Sequence, residues 1–120
     1  MSWFSCSKVT RSLAIVALAS FVTPAIASGT TANEAGEKVY AQTCIACHGA
    51  NGKGAIPGVS DLTKADGPLA KSDATLFASI RDGLVTPGKP LSMPPKGGNP
   101  SLSDEEIQAV LEYLRSSFGS

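Results

Sequence analysis

Imidazole and soft sulfur are scarce in this 120-residue chain, which carries one histidine, three cysteines and two methionines. Indole is scarcer still, with Trp3 alone near the N-terminus. Charge is absent on balance, because ten basic and ten acidic residues cancel. No Lys/Arg block forms the electrostatic footprint of a nucleic-acid binder, so a nucleic-acid partner is excluded as an expectation. No apolar run reaches the ~20 residues of a membrane span. The longest candidate, Ser12–Val22, contains Ser20 and is followed by Pro24. Repeats and low-complexity tracts are missing as well.

What chemistry exists is concentrated in five residues. Positions 44–48 read Cys44-Ile45-Ala46-Cys47-His48 and hold the single histidine. C-x-x-C-H is the attachment spacing of c-type haem. Two thiols one helical turn apart can each add across a vinyl group on one porphyrin edge. The imidazole that follows is then placed under the iron as its proximal ligand. Three other readings compete. A closed zinc site needs four protein ligands, and no Cys or His follows residue 48. A thioredoxin-like dithiol wants a βαβ setting that the sequence does not show. A disulfide between residues three apart would be strained and would close only a tiny loop. The expectation is one covalently attached haem c and its iron, held by Cys44, Cys47 and His48.

Residues 1–27 have the pattern of a secretory signal peptide. Lys8 and Arg11 form a basic start, the apolar run follows, and Ala25-Ile26-Ala27 makes an A-x-A cleavage site. Cys6 precedes the apolar run and is expected to leave with the leader. Residues 28–120 are then one mature domain, and the compartment is periplasmic, outside the reducing cytoplasm. Membrane attachment is expected only if the leader is retained as an anchor. Losing Lys8 and Arg11 while all ten acids stay leaves a formal charge of −2. A charge so small steers docking only modestly.

Three amphipathic helices are legible, so the fold class is all-α. The first runs from about Ala32 into the Cys44 motif, with Ala35, Gly36, Val39, Tyr40 and Thr43 on one face and Thr31/Glu34 as a capping box. The second covers about Asp73–Asp82, capped by Ser72, with Leu76, Phe77 and Ile80 inward and Gly83 as its stop. The third opens on a Ser103/Glu106 box, with Leu102 stapled to Ile107. Its apolar stripe is Ile107, Val110, Leu111, Leu114 and Phe118. Gly/Pro-rich loops fill the rest, long for so small a domain and suited to wrapping a bound group. So small a domain commonly needs a cofactor to complete its interior.

Iron held by one histidine has an open face. Thioether sulfur would close it and favour the reduced metal. Beyond the leader Met93 is the sole methionine, in Leu91-Ser92-Met93-Pro94-Pro95, where proline stiffens the backbone. A gap-filling methionine, a donor from Lys96 or Asn99, and a water-occupied site are the alternatives.

With these segments in view the chain resembles the class I cytochromes c, especially the short bacterial cytochrome c-five-like group. The resemblance rests on Gly36-x-x-x-Tyr40-x-x-x-Cys44-x-x-Cys47-His48-Gly49, on Asn51-Gly52-Lys53-Gly54 with Pro57, on Ile80-Arg81-Asp82-Gly83, and on Met93 to Ile107 with Tyr113. It implies three main helices and Gly/Pro-rich loops around one haem, His48 and Met93 as axial ligands, and Gly36 as the close crossing point against Tyr113. It also implies a Pro57 carbonyl accepting from the His48 ring. The implied function is one-electron carriage, not enzymatic turnover, by a monomer. Its transient redox partners would be respiratory or photosynthetic membrane complexes, oxidases or periplasmic dehydrogenases. Two other functions remain in play: a dedicated electron-transfer subunit of a larger dehydrogenase or oxidase, and an open-site haem enzyme or gas-binding protein. The last lacks a second histidine for distal acid–base work.

Overall fold

The computed structural model describes the backbone of residues 28–119 and the side chains of residues 32–119. The expected leader, with Lys8, Arg11 and Cys6, lies outside the described residues. Four α-helices follow in order: α1 (Ser28–Val39), α2 (Ile45–His48), α3 (Asp73–Asp82) and α4 (Asp104–Phe118). A π-helical turn over Tyr40–Cys44 joins α1 to α2, and 3-10 turns cover Pro68–Ala70 and Pro95–Gly98. Among the described residues the sole β pairing is an isolated antiparallel bridge between Leu84 and Met93. The all-α expectation holds.

The two later helices begin where their side chains can satisfy orphan amides. Ser72 accepts from the Thr75 N–H at the start of α3. Ser103 accepts from the Glu106 N–H while the Glu106 carboxylate accepts from the Ser103 N–H, a complete capping box. Helix α1 differs from expectation at its start. It begins at Ser28, so Thr31 lies inside the helix and is not its N-cap.

The core is one cluster. Ile107, Val110, Leu111 and Leu114 of α4 meet Val39 and Tyr40 from the α1 end, Leu76 and Ile80 of α3, and Leu62, Leu69 and Leu102 from loops. Ile107 and Val110 have no exposure at all. Ala35, expected on the inner face of α1, is exposed. Phe77 is only half-buried, its ring lying 5.6 Å below the Arg81 guanidinium.

The crossing of α1 over α4 is set by Gly36. A Cβ there would sit 2.8 Å from the Tyr113 Cβ and collide with the Ala109 carbonyl. Only glycine lets the two backbones come this close, which explains a residue costing about 1 kcal/mol in a helix interior. The close approach brings three rings together. Tyr40 lies 5.4 Å from Tyr113 and 5.3 Å from Phe118, and Tyr113 meets Phe118 edge-on at 5.9 Å.

On the same C-terminal part of α4, Arg115 ties the helix to the chain leading into α3 and to its first residue. Its guanidinium donates to the Leu69 carbonyl, to the Lys71 carbonyl at 2.7 Å and to the Asp73 carboxylate at 2.7 and 2.9 Å. These bonds span 42–46 residues and hold the 3-10 turn of Leu69 against the core.

Candidate functional site

The Cys44–His48 segment begins in the π turn. The Ile45 N–H reaches back to the Tyr40 carbonyl, five residues earlier, so the chain gains an extra residue per turn here. That insertion changes the face on which the thiols and the imidazole leave α1. A 3.6-residue reading of the sequence cannot see it. Cys44 and Cys47 are free thiols, Cys44 half-buried and Cys47 exposed. The disulfide alternative is therefore not adopted. Burial pushes the Cys44 thiol up to about 11, with the neighbouring Cys47 adding to the effect.

His48 is half-buried, and burial lowers its pKa, so the ring is held neutral, the form that binds iron. Its Nδ1 is the one buried side-chain nitrogen or oxygen without a hydrogen-bond partner among the described residues. This corrects the expectation of a bond from the ring to the Pro57 carbonyl. The loop grips the motif's backbone and leaves its ring alone. Gly54 N–H donates to the His48 carbonyl at 2.9 Å and Ala55 N–H to the Cys47 carbonyl at 2.8 Å. The same loop is anchored below by Leu62 N–H on the Gly52 carbonyl and by Gly52 lying against the Phe118 ring.

Met93 lies on the loop that follows α3 and is half-buried against the core. Its backbone exchanges two 2.9 Å hydrogen bonds with Leu84, fastening the loop to the end of α3. Gly83 makes this possible. It adopts φ +82°, and a Cβ there would meet the Met93 carbonyl at 2.8 Å and the Pro95 nitrogen at 2.9 Å. The turn after Met93 then reaches the motif. Asn99 Nδ2 donates to Thr43 Oγ1 at 3.5 Å, and Gly97 leaves room for the Thr43 methyl, which a Cβ would approach to 3.0 Å. Lys96 takes φ +55°, an uncommon left-handed conformation for a side-chain-bearing residue. The polar ends of Lys96 and Asn99 are both engaged, Lys96 Nζ on the Pro100 carbonyl at 3.4 Å and Asn99 Nδ2 on Thr43 Oγ1.

The rim is apolar. Ile45, Ile56, Leu84, Val85 and Leu91 are all exposed. The loops carrying Ile56 and Leu91 are neighbours, since Gly58 faces Pro90 and Leu91. Nothing in this set suits a polyvalent ion: among the described residues no three His, Cys, Asp or Glu side chains cluster to hold a metal. Two free thiols a turn apart, a neutral imidazole, one thioether and an apolar rim fit a flat apolar macrocycle that brings four ligands for its own metal.

Sequence reasoning missed two parts of this site. Tyr40 donates its O–H to the Gly49 carbonyl at 2.6 Å, next to His48, and is 2% exposed. Arg115 makes several polar ties 42–46 residues back along the chain, to Leu69, Lys71 and Asp73. Both contacts depend on tertiary placement, and only the Gly-x-x-x-Tyr spacing hinted at the first.

Comparison with known proteins agrees with the geometry. Residues 31–114 match the family described as cytochrome C oxidase, cbb3-type, subunit III. Lupanine 17-hydroxylase [cytochrome c] of Pseudomonas sp is 39% identical over 83 residues, covering 68% of this chain and 10% of the hydroxylase. The cbb3-type cytochrome c oxidase subunit CcoP of Rhodobacter capsulatus is 33% identical over 94 residues, 74% of this chain and 32% of the subunit. Cytochrome c-555 of Prosthecochloris aestuarii is 32% identical over 81 residues, 66% of this chain and 81% of that protein. The chain thus spans about a tenth and about a third of the first two relatives. With the all-α frame and the C-x-x-C-H segment on one side and these matches on the other, the chain belongs to the cytochrome c family of cbb3-type oxidase subunit III, as a small class I c-type cytochrome with covalently bound haem c.

Proposed function

We propose that this chain is an exported, mono-haem one-electron carrier in which Cys44 and Cys47 form the thioethers, His48 is the proximal ligand and Met93 the distal one. The observation that carries the reading is the half-buried, neutral His48, its Nδ1 unpartnered, one residue beyond two free thiols. When bound, the haem supplies the one-electron couple. The chain's own residues supply rigidity and dryness. The Cys47 and His48 carbonyls are each held by a backbone donor, so the imidazole stands on a fixed strut. Met93 is fixed through both its N–H and its carbonyl, so the thioether stays in place with little reorganisation when the charge at the centre changes. The α4 core excludes water from the inner side, and the exposed apolar rim offers a small docking face for brief encounters with redox proteins.

Residues 1–27 support export as a cleaved leader, with residues 28–120 as the mature periplasmic domain. No helix among the described residues is long and apolar enough to cross a membrane. A second reading has its own support. Two relatives match this chain over only a fraction of their length, one an oxidase subunit and one a hydroxylase. The same domain can therefore serve as the electron-transfer module of a larger oxidase or dehydrogenase.

Purified protein is denatured and its haem content followed by mass spectrometry. Wild type is expected to keep one haem covalently bound, and Cys44→Ala/Cys47→Ala to keep none. Haem still covalently attached to the double variant would overturn the thioether assignment. Co-purification of a stoichiometric dehydrogenase or oxidase from the native source would favour the subunit reading over the free carrier.

A further inference from the structure

The Tyr40 hydroxyl is the unexplained polar group of the core. Its ring is already accounted for by packing between Tyr113 and Phe118, and a phenylalanine would fill that place equally well. The hydroxyl nevertheless makes a 2.6 Å bond to the Gly49 carbonyl, nine residues along the chain and directly after His48. Gly49 is the residue most free to turn there, at φ +77° and ψ 161°. A peptide plane leaving glycine flips easily unless its carbonyl is held.

The neighbouring carbonyls show what that bond completes. Cys47 and His48 are held by the Ala55 and Gly54 amides, while the Gly49 N–H donates to the Ile45 carbonyl at 2.8 Å. The Gly49 carbonyl has only a long backbone contact, from the Gly52 N–H at 3.3 Å, and its short bond is the 2.6 Å one from the Tyr40 hydroxyl. We infer that Tyr40 is a positioning residue for His48: its hydroxyl locks the peptide plane that ends α2, and so the direction in which the imidazole leaves the backbone. The inference rests on His48 as the proximal ligand. Tyr40 is well suited to the task because its ring cannot move. It is 2% exposed and is clamped by two aromatic neighbours, so the hydroxyl is a fixed point. In such surroundings the bond competes little with water, and its loss leaves the carbonyl with the long 3.3 Å Gly52 contact as its one partner.

The test compares haem-loaded wild type, Tyr40→Phe and Tyr113→Phe, the last removing a hydroxyl from the same ring cluster. Proton NMR of the oxidised proteins reads the imidazole orientation through the hyperfine-shifted haem-methyl pattern. Native-state amide exchange reads the strut. Tyr40→Phe is expected to reorder the haem-methyl shifts and to speed exchange at Gly54 and Ala55 about fivefold to tenfold, the loss expected of one hydrogen bond. Exchange at the α4 core amides of Val110 and Leu111 should rise much less, and Tyr113→Phe should leave both readouts at wild-type values. An unchanged methyl pattern with unchanged Gly54 and Ala55 exchange overturns the positioning role. So does a uniform rise across all amides, or a failure of Tyr40→Phe to fold where Tyr113→Phe folds, since either marks a global packing role. The ligand assignment is judged separately in wild type. Strongly hyperfine-shifted His48 ring protons support it, and His48 ring protons at ordinary shifts overturn it and this inference together.

Discussion

Replacing Gly36 with alanine sets two opposed effects of known size against each other. In a helix interior alanine is favoured over glycine by about 1 kcal/mol. Against that gain, the new Cβ would lie 2.8 Å from the Tyr113 Cβ and would overlap the Ala109 carbonyl. One obstacle is α4 backbone and the other is the first side-chain carbon, so no rotamer change relieves them. The helices must part. Overpacking of this kind costs roughly 1–3 kcal/mol and sometimes more, and a rigid obstacle puts the cost at the upper end. The net expectation is a loss of about 1–2 kcal/mol, or a Tm lower by roughly 5–15 °C for a domain of this size. Parting α1 from α4 also loosens the Tyr40–Tyr113 contact, now 5.4 Å between ring centres. Calorimetry of the haem-loaded protein measures the effect. A Gly36→Ala variant melting at or above wild type would mean that helix propensity outweighs the crossing, and the reasoning would fail.

Gly83→Ala should act on the opposite face of the site. Its Cβ meets the Met93 carbonyl and forces a side chain into φ +82°, so the weak far-red band of methionine-ligated ferric haem should diminish in the oxidised spectrum. An unchanged band would refute the Gly83–Met93 link. Arg115→Met keeps the stem but loses the bonds to the Leu69 and Lys71 carbonyls and should cost about 1–2 kcal/mol in denaturant unfolding. Asp73→Asn should cost less than about 0.5 kcal/mol, because the exposed half of that contact is screened by solvent. Alkaline stability depends on Tyr40, whose pKa is raised from 10.0 to about 12, first by burial and then by its Cys44 and Tyr113 neighbours. The folded state keeps the phenol protonated, so its stability contribution is intact below pH 10 and is lost as pH rises from 10 to about 12. Tyr40→Phe should flatten that part of a stability–pH curve measured by urea unfolding; an equally steep fall would contradict the assignment.

Local chemistry was the legible part of this chain. Ser103 and Glu106 announce their capping box because both partners lie within one turn, and Ser72 caps α3 for the same reason. The stripe from Ile107 to Leu114 is buried as its spacing implies. Gly36 could be read as a crossing point because a glycine inside a good helix needs a tertiary reason. The π turn was not legible, since an inserted residue preserves composition and only shifts register. The Pro57 expectation failed through a near miss: the loop does fold onto the motif, but it bonds the Cys47 and His48 carbonyls and leaves the ring nitrogen free. The reach of Arg115 back to residues 69–73 leaves no trace in sequence spacing. Tyr40 was visible as part of a pattern, but its bond to Gly49 depends on a turn that the pattern does not encode.

The central claim is that His48 and Met93 close both faces of one iron, leaving the chain to carry electrons and not to bind small molecules. Exposing the reduced protein to carbon monoxide tests it most directly. The account predicts an unchanged absorption spectrum for wild type and ready carbon monoxide binding for Met93→Ala. Ready binding by wild type would contradict it.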